Sequence, residues 1–308
     1  HHIVFMDKFR SVLALAIALA ALATAGLGWI ATRWGLSPLR QVTHMVAGIS
    51  AERLADRLSA TGLPTELKPL ATAFNAMLAR LDDSFRRLSE FSSDIAHELR
   101  TPISNLMTQA QVALSSARNK DEYKEVLYSS LEEYERMAQM VGDMLYLAQT
   151  DNRLLKPGLE KVDLAHEIQD LFDYFDAWAE EHAVSLIQTG SATVSGDRLM
   201  LRRALSNLIS NAIRHTPPGQ TVRVSLGRHG DAVTVSVENP GTEIPAEHLT
   251  KLFDRFYRVD PSRQRKGDGA GLGLAIVKSI VDAHGGSITV TSYDQKTRFQ
   301  ITLPALAK

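Results

Sequence analysis

Phe91-Ser92-Ser93-Asp94-Ile95-Ala96-His97-Glu98-Leu99-Arg100-Thr101-Pro102 is the stretch from which the rest of the chain can be read. It ends a run in which Leu67, Leu70, Phe74, Met77, Leu81, Leu88, Phe91 and Ile95 keep the a/d spacing of a coiled-coil seam, with Ser84 as one polar gap. The spacing predicts a long helix beginning near Glu66. Phe91 and Ile95 turn inward on it, so His97 falls outside the seam and faces solvent. An imidazole nitrogen becomes a nucleophile when the proton on the other nitrogen is held or removed, and the adjacent Glu98 can do both. Pro102 lacks a backbone donor and predicts a bend just past the pair.

Working outward, the run Ser115 to Asp121, SSARNKD, predicts a helix break. Beyond it Tyr123, Leu127, Ser130, Tyr134, Met137, Val141, Met144 and Ala148 alternate at four and three residues, which predicts a second long amphipathic helix. Two such helices make a hairpin with an apolar stripe still to bury. Pairing two hairpins into a four-helix bundle buries it, so a homodimer is expected. Upstream, Ser11 to Thr32 carries no charge over a length that, at ~1.5 Å per residue, spans a hydrocarbon core of ~30 Å. It is read as a transmembrane helix with Trp29 and Trp34 as an interfacial belt; Lys8 and Arg10 before it balance Arg33 and Arg40 after it, so charge alone does not orient it. The chain opens His1-His2-Ile3, which is read as a fragment whose upstream part is missing.

Between the membrane segment and the long helix, Leu39, Val42, Val46 and Ile49 recur as on one face of a short helix, and a polar connector ends at Gly62-Leu63-Pro64. After Leu154-Leu155-Lys156-Pro157-Gly158 the pattern changes. Period-two segments at Thr221 to Leu226, Ala232 to Val237, Ser287 to Val290 and Phe299 to Leu303 alternate with helical ones without a βαβ repeat, which predicts an α+β sandwich. In one helical segment Asn207, Asn211 and His215 share a face, while Leu201, Leu205, Leu208 and Ala212 share another. Asparagine oxygens suit Mg²⁺, and Arg214 adds a donor for phosphate. No G-x-x-x-x-G-K-[ST] loop is present. Instead Lys266-Gly267-Asp268-Gly269-Ala270-Gly271-Leu272-Gly273-Leu274 brings alternate glycines to the start of a helix, where backbone N–H groups can close on phosphate.

Lys and Arg number 34 against 35 Asp and Glu, so nothing draws the chain to nucleic acid, and no direct nucleic-acid partner is expected. With no cysteine, disulfides and thiolate metal sites are excluded.

Together these residues resemble the sensor histidine kinases of two-component systems. Phe91, Asp94 and Ala96 to Pro102 match the H-box throughout, and by that resemblance His97 is the phosphoacceptor, Glu98 its base, and Glu98 with Thr101 the E-x-x-T pair that positions a dephosphorylating water. The two short amphipathic stretches after the membrane resemble a HAMP relay. Asn207 to Thr216 looks like the N-box, Leu252 to Arg258 like the F-box, and Gly267 to Gly273 like the second glycine box of the Bergerat (GHKL) ATP-binding fold shared with gyrase, Hsp90 and mismatch-repair proteins; Val259 to Lys266, with Arg263, Arg265 and Lys266, reads as a lid between the last two. The resemblance implies ATP and Mg²⁺ held by Asn207, Asn211, Arg214, His215, Asn239, Gly241, Phe253, Arg258, Gly267, Gly269, Gly271, Leu272 and Gly273, with Asn211 and Asn207 toward the metal.

The first glycine box departs from its pattern, D-x-G-x-G-I-P, in reading Asn239-Pro240-Gly241-Thr242-Glu243-Ile244-Pro245. Asn239 keeps an acceptor for an adenine amino group without the charge of a carboxylate. Glu243, at a glycine position, implies a loop that does not need positive φ there. The expected architecture is a multidomain chain: remnant of a periplasmic region 1–10, transmembrane helix 11–32, HAMP 33–88, dimeric four-helix-bundle phosphotransfer domain 89–152, and α+β ATP-binding domain 153–308. Asp121 to Tyr128, Leu131 to Arg136 and Asn239 to Gly241 look similar to the copper and silver type of heavy-metal sensor kinases, which implies a bacterial inner membrane, a cytoplasmic catalytic half and a response regulator as partner. The readings from other classes are a GHKL-type ATPase and a nucleotide-binding membrane scaffold without histidine phosphorylation.

Overall fold

The computed structural model describes residues 2–35, 57, 65, 68–116, 119–151, 157–259 and 270–306. The expected first HAMP helix and its connector, and the segment 260–269 with Gly267 and Gly269, lie outside the described residues. The chain divides into two compact units, His1–Ala96 and His97–Lys308.

In the first unit, helix α1 (His2–Gly35) contains a 20-residue stretch, Leu15–Trp34, of mean hydropathy 1.9 that is wholly exposed. A predominantly apolar exposed surface of that length has the composition and reach to cross a bilayer. Arg33 lies over the Trp29 ring at 5.2 Å, a cation–π pair at the expected membrane edge.

Helix α2 (Lys68–Ser115) passes from the first unit into the second and continues through Pro102 as one helix. Helical structure persists on both sides of the buried proline, so Pro102 does not end the helix. Helix α3 (Lys120–Asp151) starts where the break was expected, and its start has a local cause. Asn119 Oδ1 accepts from Asp121 N and Glu122 N at 3.0 and 2.9 Å, while Glu122 Oε2 accepts from Asn119 N at 3.1 Å. This reciprocal capping box satisfies donors that a helix start leaves open.

The apolar pattern of α3 resolves into two stripes where the spacing predicted one. Met140, Met144 and Leu147 are at most 5% exposed, whereas Leu127, Tyr134 and Leu145 are 67%, 57% and 59% exposed. The exposed set, with Leu131, Ala138 and Val141, keeps heptad spacing; the covered set runs one residue out of step with it. The predicted stripe mixed the two, taking Met144 from one and Leu127, Tyr134 and Val141 from the other.

The rest of the second unit is an α+β layer pair, as expected. A five-stranded sheet has the order β2 (Ser185–Thr189), β4 (Thr221–His229), β5 (Ala232–Pro240), β7 (Lys296–Pro304), β6 (Ser287–Tyr293), with only β2 and β4 parallel. Three short strands escaped the sequence reading: β2 of this sheet, and β1 (Glu160–Asp163), which pairs antiparallel with β3 (Thr193–Gly196) as a separate ribbon. Helices α4 (Leu164–Glu181), α5 (Arg198–His215) and α7 (Gly273–Ala283) cover one sheet face; the short α6 (Ala246–Leu249) lies beside β6. Alternate residues Val222, Val224, Val233, Val235, Val237, Phe299 and Ile301 meet Leu205, Leu208, Ile209, Ile213, Ile276 and Ile280, all essentially buried. Each such aliphatic side chain removed from water contributes roughly 1.5–3 kcal/mol, which makes this layer the main source of stability of the domain.

Asp197 caps α5, accepting from Met200 N at 3.0 Å and from Gly158 N at 3.1 Å. The bond from the Met200 amide, with help from Gly158, holds its carboxyl below the usual carboxylate range. A depressed carboxylate stabilises the fold above its unfolded pKa, and that contribution is lost as pH falls through the lowered value. Asp197→Ala is therefore expected to cost about 1 kcal/mol at neutral pH, with the deficit narrowing in acid. Thermal denaturation across pH measures it, and a pH-independent deficit would exclude the charged cap as its source.

Candidate functional site

The first part of the site is a helix surface. His97 is exposed, Glu98 is half-buried beside it, and Thr101, one turn on and exposed, shares the face of Glu98. Among the described residues none donates to or accepts from the His97 imidazole. An open imidazole next to a carboxylate can take up a transferred group without first breaking an internal bond.

The second part is a cleft where α5 meets α7. The predicted stripe Leu201, Leu205, Leu208 and Ala212 is buried against the sheet, which leaves Asn207 and Asn211 half-buried at the edge of α5 and His215 exposed at its end. Asn207 Nδ2 is buried and has no hydrogen-bond partner. A buried donor without an acceptor costs about 1–3 kcal/mol, so its persistence points to an acceptor from a ligand. Gly273 opens α7 directly opposite: a Cβ there would lie 3.4 Å from Asn207 Oδ1. The helix it begins has no side-chain cap, so its first N–H groups remain open to an anion. Leu272, fully buried, anchors that start.

Gly271 has φ of +73°, and a Cβ on it would meet the Phe256 backbone at 2.9 Å. The Phe256 amide donates to the Gly271 carbonyl at 3.0 Å, with Phe256 itself at φ +60°. Phe253, in the same segment, packs edge-on to Phe299 at 6.4 Å and ties it to the sheet, and Arg258 is half-buried. On the far side of the cleft Asn239, 3% exposed at the end of β5, donates from Nδ2 to the Pro240 carbonyl at 3.1 Å. That bond turns one N–H of the amide onto the backbone and leaves Oδ1 as an acceptor to be read. A Cβ on Gly241 would stand 2.8 Å from the His215 carbonyl, so the first glycine box and the end of the asparagine helix close on each other. Glu243 has no positive φ, as expected.

The structure thus brings Asn207, Gly273, Gly271 and Leu272 together at one end and Asn239, Gly241 and His215 at the other. Arg214 carries its guanidinium carbon 6.0 Å from the Trp178 ring centre on α4. Among the described residues, one group of side chains could hold a metal, His166, Glu167 and Asp170. It is already filled, since Arg198 and Arg202 reach the buried Glu167 at 2.5 and 3.2 Å and Arg202 reaches Asp170 at 3.2 Å. Sequence reading missed these guanidinium bonds because their partners are more than thirty residues apart.

The cleft fits a nucleotide: an unpaired amide and an uncapped helix start for phosphate, hard asparagine oxygens for Mg²⁺, and a buried acceptor for a base.

Residues 196–307 match the family described as Histidine kinase-, DNA gyrase B-, and HSP90-like ATPase, 87–153 the His Kinase A (phospho-acceptor) domain, and 36–83 the Sensor protein PhoQ-like, HAMP domain. The chain thus joins a phospho-acceptor domain to an ATPase domain of this kind. The chain is 50% identical over 305 residues to the Sensor histidine kinase CusS of Escherichia coli K12, covering 99% of this chain and 64% of that protein. It is 46% identical over 315 residues to the Probable sensor kinase SilS of Salmonella typhimurium, covering 100% and 63%. The Acinetobacter baumannii histidine kinase AdeS structure aligns with a TM-score of 0.58 at 25% identity, over 68% of this chain and 98% of that one. The complex of histidine kinase ThkA with response regulator protein TrrA shares the fold, at TM-score 0.61 and 22% identity, over 73% and 64%. The chain belongs to the sensor histidine kinase family, with heavy-metal sensors among its relatives, and spans about 64% of the length of CusS.

Proposed function

We propose that this chain is the membrane-proximal and catalytic part of a sensor kinase of the bacterial inner membrane, which phosphorylates His97 from ATP and passes the group to an Asp of a response regulator. The observation that carries the reading is one chain holding both an open His97–Glu98 pair and a cleft whose buried Asn207 amide lacks an acceptor. A His97 ring nitrogen forms the N–P bond as the bond to the β–γ bridging oxygen breaks and ADP departs. Glu98 holds the other ring nitrogen and takes its proton. Glu98 and Thr101, on one face, hold a water that hydrolyses the phosphoryl group from the response regulator. Asn207, Asn211, His215, Gly241 and the glycines up to Gly273 hold the nucleotide, with Asn239 on the base and Asn211 and Asn207 toward Mg²⁺. That ion, when bound, neutralises phosphate charge.

Homodimerisation follows from the exposed heptad stripe of α3, which a second copy would cover. Metal sensing in a copper or silver response is supported by CusS and SilS as relatives and rests on no ligand in this chain.

The test is incubation with γ-labelled ATP and Mg²⁺. Label that is stable in base and lost in acid, and that transfers to a response-regulator receiver domain, is the expected result; absence of label returns the chain to an ATPase or a scaffold. Asn211→Ala, folded normally, is expected to lose labelling by about 10²-fold or more if it holds the metal.

A further inference from the structure

The two helices that line the cleft are pinned together at the end away from it. Helix α7 packs on α3 and on α5. Against α5 it runs antiparallel: Gly273 at its start faces Asn207, and His284 at its end meets Asp197 at the start of α5. His284 Nε2 accepts from the Asp197 amide at 2.9 Å, and Nδ1 lies 2.8 Å from the Ile280 carbonyl. An amide N–H only donates and a carbonyl only accepts, so these bonds hold the ring as the neutral tautomer with its proton on Nδ1. Gly196 leaves room for the ring: a Cβ there would lie 2.8 Å from His284 Cδ2 and 2.7 Å from Leu201 Cδ1.

Asp197 serves both helices. Its carboxylate caps α5 through the Met200 amide, while its own amide goes to His284 at the end of α7. At ~1.5 Å per residue Asn207 stands about 15 Å along α5 from this point, and the 11-residue α7 spans about 16.5 Å back to Gly273. The two reaches match, so pinning α7 at His284 sets which level of α5 its uncapped first turn meets. That level is Asn207, whose buried Nδ2 lacks a partner. The buried surfaces of the two helices are aliphatic, with Leu201, Leu205 and Leu208 on α5 and Ile276, Val277 and Ile280 on α7. Burial of this kind is non-directional and resists sliding weakly. A slide of one residue moves the first N–H groups of α7 by about 1.5 Å, enough to break a hydrogen bond.

We propose that His284 is a positioning residue for nucleotide binding: by accepting from the Asp197 amide it fixes the register of α7 on α5, and with it the spacing between Asn207 and the open N–H groups at the far end of α7. It touches no substrate itself. The role rests on the cleft being a nucleotide site, and the experiment separates the two.

The whole chain, in membrane vesicles, is assayed for base-stable labelling over a range of ATP concentrations. His284→Leu keeps an apolar side chain against Gly196 but offers no acceptor, and is expected to raise the ATP concentration for half-maximal rate on the order of tenfold. His284→Gln brings an amide oxygen to the region of Nε2 and should return that concentration toward the parent value. Asp163→Ala is the control for lost stability alone. Asp163 caps a different helix, α4, through the Ala165 and His166 amides, so its loss should lower the melting temperature and leave the half-maximal concentration unchanged. An unchanged concentration in His284→Leu would overturn the proposal, as would an equal rise in Asp163→Ala or a Gln variant no better than the Leu one.

A second readout needs no substitution and decides the matter if His284→Leu does not fold. If the bond sets the cleft, nucleotide in the cleft must by reciprocity tighten the bond. Saturating Mg-ADP should slow hydrogen–deuterium exchange of the Asp197 amide on the order of tenfold more than that of the Ala165 amide, which is bonded to Asp163. Equal slowing of the two amides, or none, would overturn the role of His284. If the parent chain neither labels nor binds ADP, the nucleotide reading fails with it; if the parent binds and these comparisons come out even, only the role of His284 does.

Discussion

Replacing His97 with Gln is expected to remove all base-stable phosphoryl label from the protein while leaving its fold intact. A glutamine amide reproduces the hydrogen bonds of imidazole, but its nitrogen lone pair is delocalised into the carbonyl and does not attack phosphorus. His97 is exposed and unbonded among the described residues, so the substitution should move stability by no more than about 0.5 kcal/mol. Loss of label with an unchanged melting transition therefore reports chemistry alone. Glu98→Gln keeps a hydrogen-bonding partner but removes the base, and should slow labelling by about 10²–10⁴-fold without abolishing it. Label surviving in His97→Gln would place the acceptor elsewhere on the chain and unseat the central claim.

The second large effect belongs to Gly271→Ala. At φ +73° any L side chain is strained, and here the added Cβ would meet Phe256 backbone atoms at 2.9 Å, which cannot swing aside as a side-chain tip can. The nearest relief, moving the glycine stretch, would break the 3.0 Å bond from the Phe256 amide and shift Gly273 away from Asn207. The expected cost is about 2–4 kcal/mol together with loss of nucleotide binding. Gly285→Ala is the control. Gly285 has a similar φ of +67° with nothing within 4 Å of its Cβ position, so it carries the strain without the collision and should cost about 1 kcal/mol. Calorimetry of both variants, with a fluorescent nucleotide analogue as ligand, gives the comparison. Equal costs would mean that the contact with Phe256 does not shape the cleft.

What could be read from the chain depended on how local its cause was. The buried face of α5 was legible because eight apolar residues at helical spacing lie on one side of the helix. The capping box at Asn119, though local, went unread. The stripe of α3 was read as one because two apolar sets one residue apart sum to a single broad band. Nothing in the spacing says which set the ATP-binding domain covers. The ribbon of β1 and β3 was missed because four-residue strands rich in Glu, Lys, Asp, Thr and Ser carry almost no alternation. Arg203 and Asp143, sixty residues apart, meet only through tertiary packing and leave no local trace. Phe256 at positive φ was equally hidden, since a bulky residue there is held by its neighbours and not by its own preference.

The one-residue offset between the stripes of α3 turns the helix into a shaft with two keyed edges about 100° apart. One edge grips the ATP-binding domain and the other is open for a second copy of the chain. A shaft of that kind cannot be twisted at one edge and stay still at the other. Any rotation of α3 about its own axis moves both edges together.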